Sequence, residues 1–243
     1  MSIKLLHPNI FPKDRIISGV TLKNQHLFPK TGLTFTPSPL CTKYEVANYK
    51  KMLAVEIGVD YNKLKFQHQI HSDIIRIIDQ NSDESDSDGM ITNEQGLILC
   101  VKIADCAAIL VYDPTNQAIA AIHSGWRGTK QNIVAKAISK MSEQYGSRPE
   151  DIKVYLSPCS SGKKYEVGEE VAELFPRSIE PIGERKYLYD NLNEILLQLG
   201  ECGILTENIE TSGICTIENK EFHSYRRDRA RSGRMCAYIG MND

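Results

Sequence analysis

Several features that mark specialised proteins are scarce or missing in this 243-residue sequence. Lysine and arginine (29) nearly balance aspartate and glutamate (31), and the net charge of -2 argues against nucleic-acid or anionic-membrane partners. No apolar run reaches the length that spans a bilayer. No internal repeat and no Pro-, Gly- or Ser-rich linker divides the chain, so we expect a single domain over residues 1–243.

The sequence also lacks the marks of a secreted protein. Its first 15 residues contain neither the apolar stretch nor the small-residue cleavage site of a signal peptide. The seven cysteines are odd in number, widely spaced and without a C-x-x-C pair, which is unlike a disulfide framework. We therefore expect a cytoplasmic protein, either a monomer or a small homo-oligomer. Most cysteines lie in apolar runs typical of core positions, and Cys106 is the exception.

Hydrophobic periodicity predicts an α+β or α/β fold built around a mixed sheet. The apolar runs 97–103, 107–112 and 118–123 are nearly continuous, which is typical of central strands covered on both faces. Further strands are predicted at 15–22, 63–70, 74–78, 153–156, 209–216, 223–225 and 236–239. Helices are predicted at 44–57, 128–145, 169–175 and 192–199.

A hairpin brings two chemically interesting side chains together. Asp113–Asn116 carries a strong turn signal, and if those four residues form the turn, Cys106 lies directly opposite His123. Opposed residues in an antiparallel pair have Cβ atoms roughly 4.5–5.5 Å apart on one face of the sheet. This register predicts that the thiolate and the imidazole bind one metal ion or contact each other.

A third ligand is available in Gln67–Ser72, which contains two histidines. If this segment is a strand, His68 and His71 point to opposite faces, and the spacing does not decide which of them joins the site. Two imidazoles and a thiolate match a catalytic zinc site with an open position. Mixed nitrogen and sulfur ligands also admit copper. Ordinary core packing of the same residues is the alternative.

Two arginine-containing segments are candidates for anion binding. Ser124–Thr129 is a glycine-containing turn that leads into a helix, and Arg127 adds a fork suited to phosphate or carboxylate. Near the C-terminus, five arginines fall within nine residues: Arg226, Arg227, Arg229, Arg231 and Arg234. One or two of these could hold a substrate anion. The alternatives are a nucleic-acid patch and a solvated loop with local salt bridges.

Six ordered motifs between residues 67 and 240 resemble those of the YfiH-like laccase-domain family, also called polyphenol-oxidase-like proteins. Each motif is weak alone, but the ordered set is specific. The matching segments are Gln69–Ser72 (Q-V-H-G/S), Asp88–Thr92 (D-G-x-I-T), Ala104–Cys106 (from T-A-D-C, with Ile103 in place of Thr), His123–Gly128 (H-A-G-W-R-G), Ser157–Gly168 (ending Y-E-V-G) and Cys215–Arg234 (C-T, F-x-S-Y-R-R-D, G-R).

The resemblance implies a compact α+β fold, cysteine-hydrolase-like, with central mixed β-sheets flanked by helices. It implies a zinc site, with copper as an alternative, formed by His71, Cys106 and His123 as metal ligands and catalytic residues. The implied activity is phosphorolysis of adenosine, inosine and methylthioadenosine to base and ribose 1-phosphate, together with adenosine deamination. A purine nucleoside and phosphate are then the expected partners.

Residue roles outside the metal ligands follow from position along the motifs. Lys23, Arg127 and Arg227 are the expected phosphate contacts, while Glu166 and Asp105 are candidate acid–base groups. The N-terminal third departs from the family pattern, because a T-R-x-G-G segment is replaced by Val20–Asn24 and an N-R pair by Asn48-Tyr49. Lys23 stands near the position of the missing arginine.

Three other functions remain open at this point. A copper-dependent phenol oxidase is one, although multicopper electron transfer needs more histidines than the six present. A metal-free cysteine hydrolase with Cys106 as nucleophile and His123 as base is the second. A binding domain without catalytic activity is the third.

Overall fold

A computed structural model describes residues 2–242 of the chain as a set of β-sheets flanked by helices. The strands are β1 (Leu5–Leu6), β2 (Ile16–Thr21), β3 (Leu64–Lys65), β4 (Ile75–Ile77), β5 (Gly89–Thr92), β6 (Ile98–Ile103), β7 (Ala107–Asp113), β8 (Ala118–Ser124), β9 (Lys153–Leu156), β10 (Glu166–Gly168), β11 (Ile179–Gly183), β12 (Lys186–Tyr189), β13 (Ile209–Thr211) and β14 (Met235–Met241).

The helices are α1 (Lys43–Ile57), α2 (Trp126–Lys130), α3 (Ile133–Tyr145), α4 (Glu169–Ala172), α5 (Asn191–Glu201) and α6 (Tyr225–Asp228). Short 3₁₀ turns occupy Tyr61–Lys63, Pro149–Asp151, Thr206–Asn208 and Arg229–Arg231. Among the helices of residues 2–242, none combines the length and the apolar character needed to cross a membrane.

Two large mixed sheets pack face to face. One has the order β1-β2-β14-β6-β3 and the other β13-β9-β7-β8-β5-β4, while a small third sheet has the order β10-β12-β11. Each large sheet contains both parallel and antiparallel pairs. These sheets and helices confirm the predicted α+β class.

Side chains alternate along the central strands, so each large sheet packs on the other sheet with one face and on helices with its opposite face. In β7, Leu110 and Tyr112 enter the core between the two large sheets, whereas Ile109 and Val111 enter a second core beneath α3 and α5. In β6, Leu99 and its alternate neighbours face the first core, and the other face packs beside α1. Because both faces of these strands are covered, the prediction of central, doubly buried strands is confirmed.

The β7–β8 hairpin has a different register from the one predicted. Asp113 pairs with Ala118 and Ala108 with His123, so Cys106 does not lie opposite His123. The turn therefore comprises residues 114–117 instead of 113–116. Asp113 remains the last paired residue of β7, because its carboxylate accepts hydrogen bonds from the backbone N–H groups of Thr115 and Asn116. Gln117 then closes the loop with φ +49°.

Several other element predictions are wrong in extent or type. The strand predicted at 63–70 is limited to β3, the strand at 209–216 to β13, and the helix at 169–175 to α4. The helix predicted at 128–145 is two helices, because Asn132 adopts φ +55° between them. The predicted strand at 223–225 is wrong: the Ser224 side chain caps the N-terminus of α6 instead.

A buried polar network fixes the junction between β8 and α2, from which the candidate site is built. Thr129 Oγ1 lies 2.8 Å from Ser124 Oγ and 2.9 Å from Asn191 Oδ1. Asn191 also donates to the Ser124 carbonyl (3.1 Å) and accepts from the Tyr189 hydroxyl (2.9 Å). Because these groups are buried, each depends on its partners inside the protein.

We therefore expect Thr129→Val to lower the free energy of unfolding by about 1–3 kcal/mol, since it keeps the side-chain shape and leaves buried polar groups unpaired. Thr206→Val, at an exposed position, is the matched control and is expected to change it by less than about 0.5 kcal/mol. Urea denaturation measures both. Equal stability of the two variants would show that the network does not hold this junction.

Candidate active site

The three side chains predicted as metal ligands come together in the folded chain. His71 follows β3 in a loop, Cys106 immediately precedes β7, and His123 lies near the end of β8. Their candidate ligand atoms all lie within 4.8 Å of one another. The rings of His71 and His123 meet edge to face, with centroids 4.9 Å apart.

His68 takes no part in this cluster. Its ring is largely exposed, with nitrogens 3.6 Å from Glu84 and 3.8 Å from Asp86. The segment is not a regular strand, and His71 has φ +58°. With this left-handed backbone at residue 71, the His71 ring lies beside that of His123.

Cys106 is fixed by the residue before it. Asp105 has φ +79°, and its carboxylate accepts hydrogen bonds from Thr216 Oγ1 (2.7 Å) and the backbone N–H of Arg226 (2.6 Å). Its carbonyl accepts from the backbone N–H of Ser160 (2.8 Å). Because both carboxylate oxygens have partners, Asp105 fixes the position of the backbone next to Cys106.

Gly125 provides the space that the cluster needs. A Cβ atom at this position would lie 2.7 Å from Cys106 Sγ and 3.4 Å from His71 Cδ2. The first distance is shorter than van der Waals contact allows, so a larger residue would push the thiol out of place. The glycine of the His123–Gly128 motif thus serves close approach of the ligands.

Asp88 connects the two histidine-bearing segments. Its Oδ1 lies 2.7 Å from His123 Nδ1, and its Oδ2 accepts from the backbone N–H groups of Ile70 (3.1 Å) and Ser72 (2.6 Å) and from the Ser72 hydroxyl (2.8 Å). These contacts flank His71 and orient His123. With Nδ1 of His123 engaged, Nε2 is the nitrogen available to a metal ion.

The cluster favours a charged thiolate. Burial acts to raise the pKa of Cys106, but the adjacent His123 and His71 outweigh it and lower this pKa to about 6. Burial acts to lower the pKa of His123, whereas Cys106 and Asp88 raise it to about 9. Burial likewise opposes the ionisation of Asp88, yet the hydrogen bonds from His123 and Ser72 hold its pKa at about 2.

The chemistry of these donors fits a bound transition-metal ion. A thiolate and two imidazoles are the ligand types of catalytic zinc, which typically has three protein ligands and keeps a fourth position for water or substrate. The carboxylate on His123 is the usual outer partner of a metal-binding imidazole. Within residues 2–242, this is the one cluster of three or more such ligands.

The cluster opens into a pocket of about 610 Å³, a size typical of small-molecule sites. Five basic side chains line it, but only one carboxylate, that of Asp105. The lining residues are Thr36, Gln69, His71, Lys102, Ala104, Asp105, Cys106, His123, Gly125, Trp126, Arg127, Tyr165, Tyr225, Arg226, Arg229 and Arg234. A pocket with this charge is suited to an anionic ligand.

Of the predicted substrate contacts, Arg127 is the one that lines the pocket, with its guanidinium 4.2 Å from the centre of the Trp126 ring. Glu166 is exposed on β10 and pairs with Lys186 at 3.2 Å. Lys23 packs against Gly32, outside the lining residues. The structure therefore places Arg127 in the same pocket as His71, Cys106 and His123 and leaves Glu166 and Lys23 outside it.

Arg227 is engaged elsewhere. Its guanidinium donates to the carbonyls of Thr216 (2.7 Å) and Phe222 (2.8 Å) and to both carboxylate oxygens of Asp228 (3.0 and 2.8 Å). Its donors are thus used to hold the loop between residues 216 and 228. It does not line the pocket.

Sequence reasoning missed several residues of the site. The sequence places Asp88 only in a turn motif, because neither its burial nor its contact with His123 can be seen before the chain is folded. The arginine cluster was noted, but its spacing gave no means of separating the arginines in the pocket from Arg227. Tyr165 and Tyr225 lie within two of the motifs, but the sequence assigns them no role, because a single aromatic residue carries no specific signal.

Comparisons with known proteins agree with the motif resemblance. The family described as multi-copper polyphenol oxidoreductase laccase matches residues 42–242. A purine nucleoside phosphorylase from Clostridium acetobutylicum is 37% identical over 183 residues, covering 70% of this chain and 74% of that protein. Purine nucleoside phosphorylase YlmD from Bacillus subtilis is 28% identical over 94% of this chain and 89% of its own length.

Two crystal structures have a similar fold. Hypothetical protein YfiH from Bacillus licheniformis superposes with a TM-score of 0.87 and 26% identity, covering 93% of each chain. YlmD from Geobacillus stearothermophilus superposes with a TM-score of 0.88 and 24% identity, covering 97% of this chain and 94% of its own. The resemblance to YfiH-like proteins inferred from the motifs is confirmed.

If Asp88 orients the metal ligands, Asp88→Asn should weaken zinc binding by about 10- to 100-fold, because the amide neither holds His123 in one tautomer nor balances its charge. Competition with a chromophoric chelator measures the affinity. Asp83→Asn, an exposed position in the same loop, is the matched control and should bind zinc like the unaltered protein. An unchanged affinity in Asp88→Asn would remove Asp88 from the site.

Proposed function

The chain belongs to the multi-copper polyphenol oxidoreductase laccase family, and from this premise we propose that it is a zinc-dependent purine nucleoside phosphorylase that also deaminates adenosine. Its substrates are adenosine, inosine and methylthioadenosine, with phosphate as the second reactant. One observation carries the proposal: the three-ligand cluster opens into a pocket lined by five basic side chains. The relatives from Clostridium acetobutylicum and Bacillus subtilis bear the name purine nucleoside phosphorylase.

His71, Cys106 and His123 are the residues that would hold the metal. When bound, the ion supplies a Lewis acid that polarises an oxygen or nitrogen atom of the substrate. Asp88 keeps the His123 ring in one orientation, and Gly125 leaves room for the thiolate. Arg127 is a proposed phosphate contact at the mouth of the pocket.

Phosphorolysis requires a phosphate oxygen to form a bond to the anomeric carbon of the ribose. The bond from that carbon to the purine breaks, its electron pair leaves with the base, and the proton of hydrogen phosphate ends on the base. The chain contributes charge and positioning to this step, since its pocket holds several cations and no unengaged carboxylate among residues 2–242.

Deamination requires a different reaction in the same pocket. A water oxygen forms a bond to the purine carbon that bears the amino group, and ammonia leaves after protonation. The candidate acid–base groups are poorly suited to this: Asp105 is engaged by Thr216 and Arg226, and Glu166 pairs with Lys186. Phosphorolysis is therefore the primary proposed activity.

A metal-free cysteine hydrolase is the second candidate, and one observation favours it. The Cys106 thiolate, the His123 imidazole and the Asp88 carboxylate form the nucleophile–base–carboxylate series of such enzymes. Copper-dependent phenol oxidation is less favoured. Electron transfer through several coppers requires several metal clusters, and residues 2–242 contain one cluster of three or more candidate ligands.

We expect the purified protein to contain about one zinc per chain and to convert inosine and adenosine to base and ribose 1-phosphate at a rate that rises with phosphate. Cys106→Ala removes the thiolate ligand and should lose both zinc and activity by more than the roughly 100-fold seen when a ligand's hydrogen-bond partner is lost. Cys202→Ala, at the end of α5, is the matched control and should retain both.

Product chromatography and elemental analysis distinguish the outcomes. Inosine formed from adenosine, with no base or ribose 1-phosphate even when phosphate is added, indicates deamination alone. Turnover of esters or amides by metal-free protein, abolished in Cys106→Ala, indicates the hydrolase. Oxidation of phenols by the copper-loaded protein, without nucleoside products, would replace the nucleoside proposal. Full zinc content in Cys106→Ala would refute the ligand assignment.

A further inference from the structure

None of the four arginines that line the pocket forms an ion pair within residues 2–242, and two of them, Arg226 and Arg234, are half-buried. The guanidinium of Arg234 donates through Nη1 to the carbonyls of Ser232 (3.0 Å) and Gly233 (2.9 Å), which leaves Nε and Nη2 unused. The Arg226 side chain forms no ion pair in the described chain and lies against an aromatic ring. Both side chains are half-buried, so water satisfies their donors only in part.

Arg227, between them in the sequence, shows the contrast. All of its nitrogen donors bond carbonyls or the Asp228 carboxylate, as expected for an arginine that serves the fold. A half-buried cation that lacks such partners costs free energy unless another anion supplies them. Burial lowers the pKa of Arg234, which reflects that cost.

Both guanidinium groups are held in place before any ligand binds. The Arg226 group lies 5.0 Å from the centre of the Tyr165 ring, and the Arg234 group lies 5.4 Å from that of Tyr225. Stacking on an aromatic face restricts the side chain and leaves the edge of the guanidinium open to bidentate contacts.

The backbone of each arginine is fixed as well. The Arg226 N–H donates to Asp105 Oδ2 at 2.6 Å, so this arginine is tied to the residue next to the Cys106 ligand. The Arg234 N–H donates to Thr34 Oγ1 at 2.9 Å. A Cβ on the preceding Gly233 would lie 2.6 Å from the ring of His223, so this backbone is closely packed.

We propose that Arg226 and Arg234 form the binding site for the phosphate of phosphorolysis, beside the metal ligands. This deepens the proposed function and rests on it. Phosphate offers several oxygens to planar forks, and two arginines match its charge of about -2 near neutral pH. Tyr165 and Tyr225 act as positioning residues. Arg226 and Arg234 thus take the roles that the motif positions alone assigned to Lys23 and Arg227.

The test compares Arg226→Gln and Arg234→Gln with Arg231→Gln, in which an exposed arginine of the same segment, outside the pocket, is changed. Isothermal titration of the zinc-loaded proteins with inorganic phosphate measures binding without turnover. We expect each pocket variant to bind phosphate about 10- to 100-fold more weakly, as for the loss of one charge-assisted contact, and Arg231→Gln to bind within twofold of the unaltered protein.

Kinetics separate a binding role from a structural one. With inosine as substrate, the KM for phosphate should rise in both pocket variants while the KM for inosine changes less than threefold. Arg226→Lys and Arg234→Lys keep the charge and should recover part of the phosphate affinity. Thermal denaturation and zinc content verify that each variant is folded and loaded.

Two results would overturn the proposal: no binding of millimolar phosphate by the unaltered protein, or phosphate affinity within threefold of it in both glutamine variants. A glutamine variant that does not fold is replaced by its lysine counterpart, and a phosphate affinity and a KM for phosphate equal to those of the unaltered protein then count as the second of these results. Phosphate binding that depends on both arginines, in a protein that cleaves no nucleoside, would support this site and refute the proposed function.

Discussion

The Asp88 carboxylate, with its hydrogen bond to His123, is the interaction on which the site depends. A buried carboxylate is stable only when donors surround it, and here the donors come from His123, Ile70 and Ser72. Because Ile70 and Ser72 flank His71, one side chain fixes both imidazoles. His71 precedes β4, Asp88 precedes β5 and His123 lies in β8. The parallel pairing of β4 with β5 and the antiparallel pairing of β5 with β8 therefore bring these residues together. Loss of this carboxylate would leave a buried imidazole without its partner.

The thiolate enters the site from the other direction. Asp105 anchors the backbone before Cys106 to Thr216 and to Arg226, so one carboxylate joins the C-terminal segment to the cluster of proposed metal ligands. Asp105 thus links the histidine and cysteine cluster to the arginine-rich part of the pocket. The histidine and cysteine cluster is suited to a Lewis-acidic ion, while the arginine side is suited to phosphate. A nucleoside bound between them would meet both.

Much of this arrangement was accessible from the sequence. The runs of β6, β7 and β8 are buried on both faces and were therefore predictable from continuous apolar residues, and α1 was predicted to within one residue at its start. The register of β7 and β8 was not, because it depends on how the Asp113 side chain bonds the turn backbone. The positive φ angles of His71 and Asp105 carry no pattern of their own. For the same reason, adjacent arginines with opposite roles could be separated only by their partners in three dimensions.

X-ray absorption at the zinc edge tests the central claim most directly, because it reports the atoms around the metal independently of any reaction. The account predicts one sulfur at about 2.3 Å and two imidazole nitrogens at about 2.0–2.1 Å, with a further light atom in the open position. Cys202→Ala should give the same spectrum, because its thiol lies outside the cluster of His71, Cys106 and His123. A zinc environment of nitrogen and oxygen alone in the unaltered protein, or two or more sulfurs, would contradict a site formed by His71, Cys106 and His123.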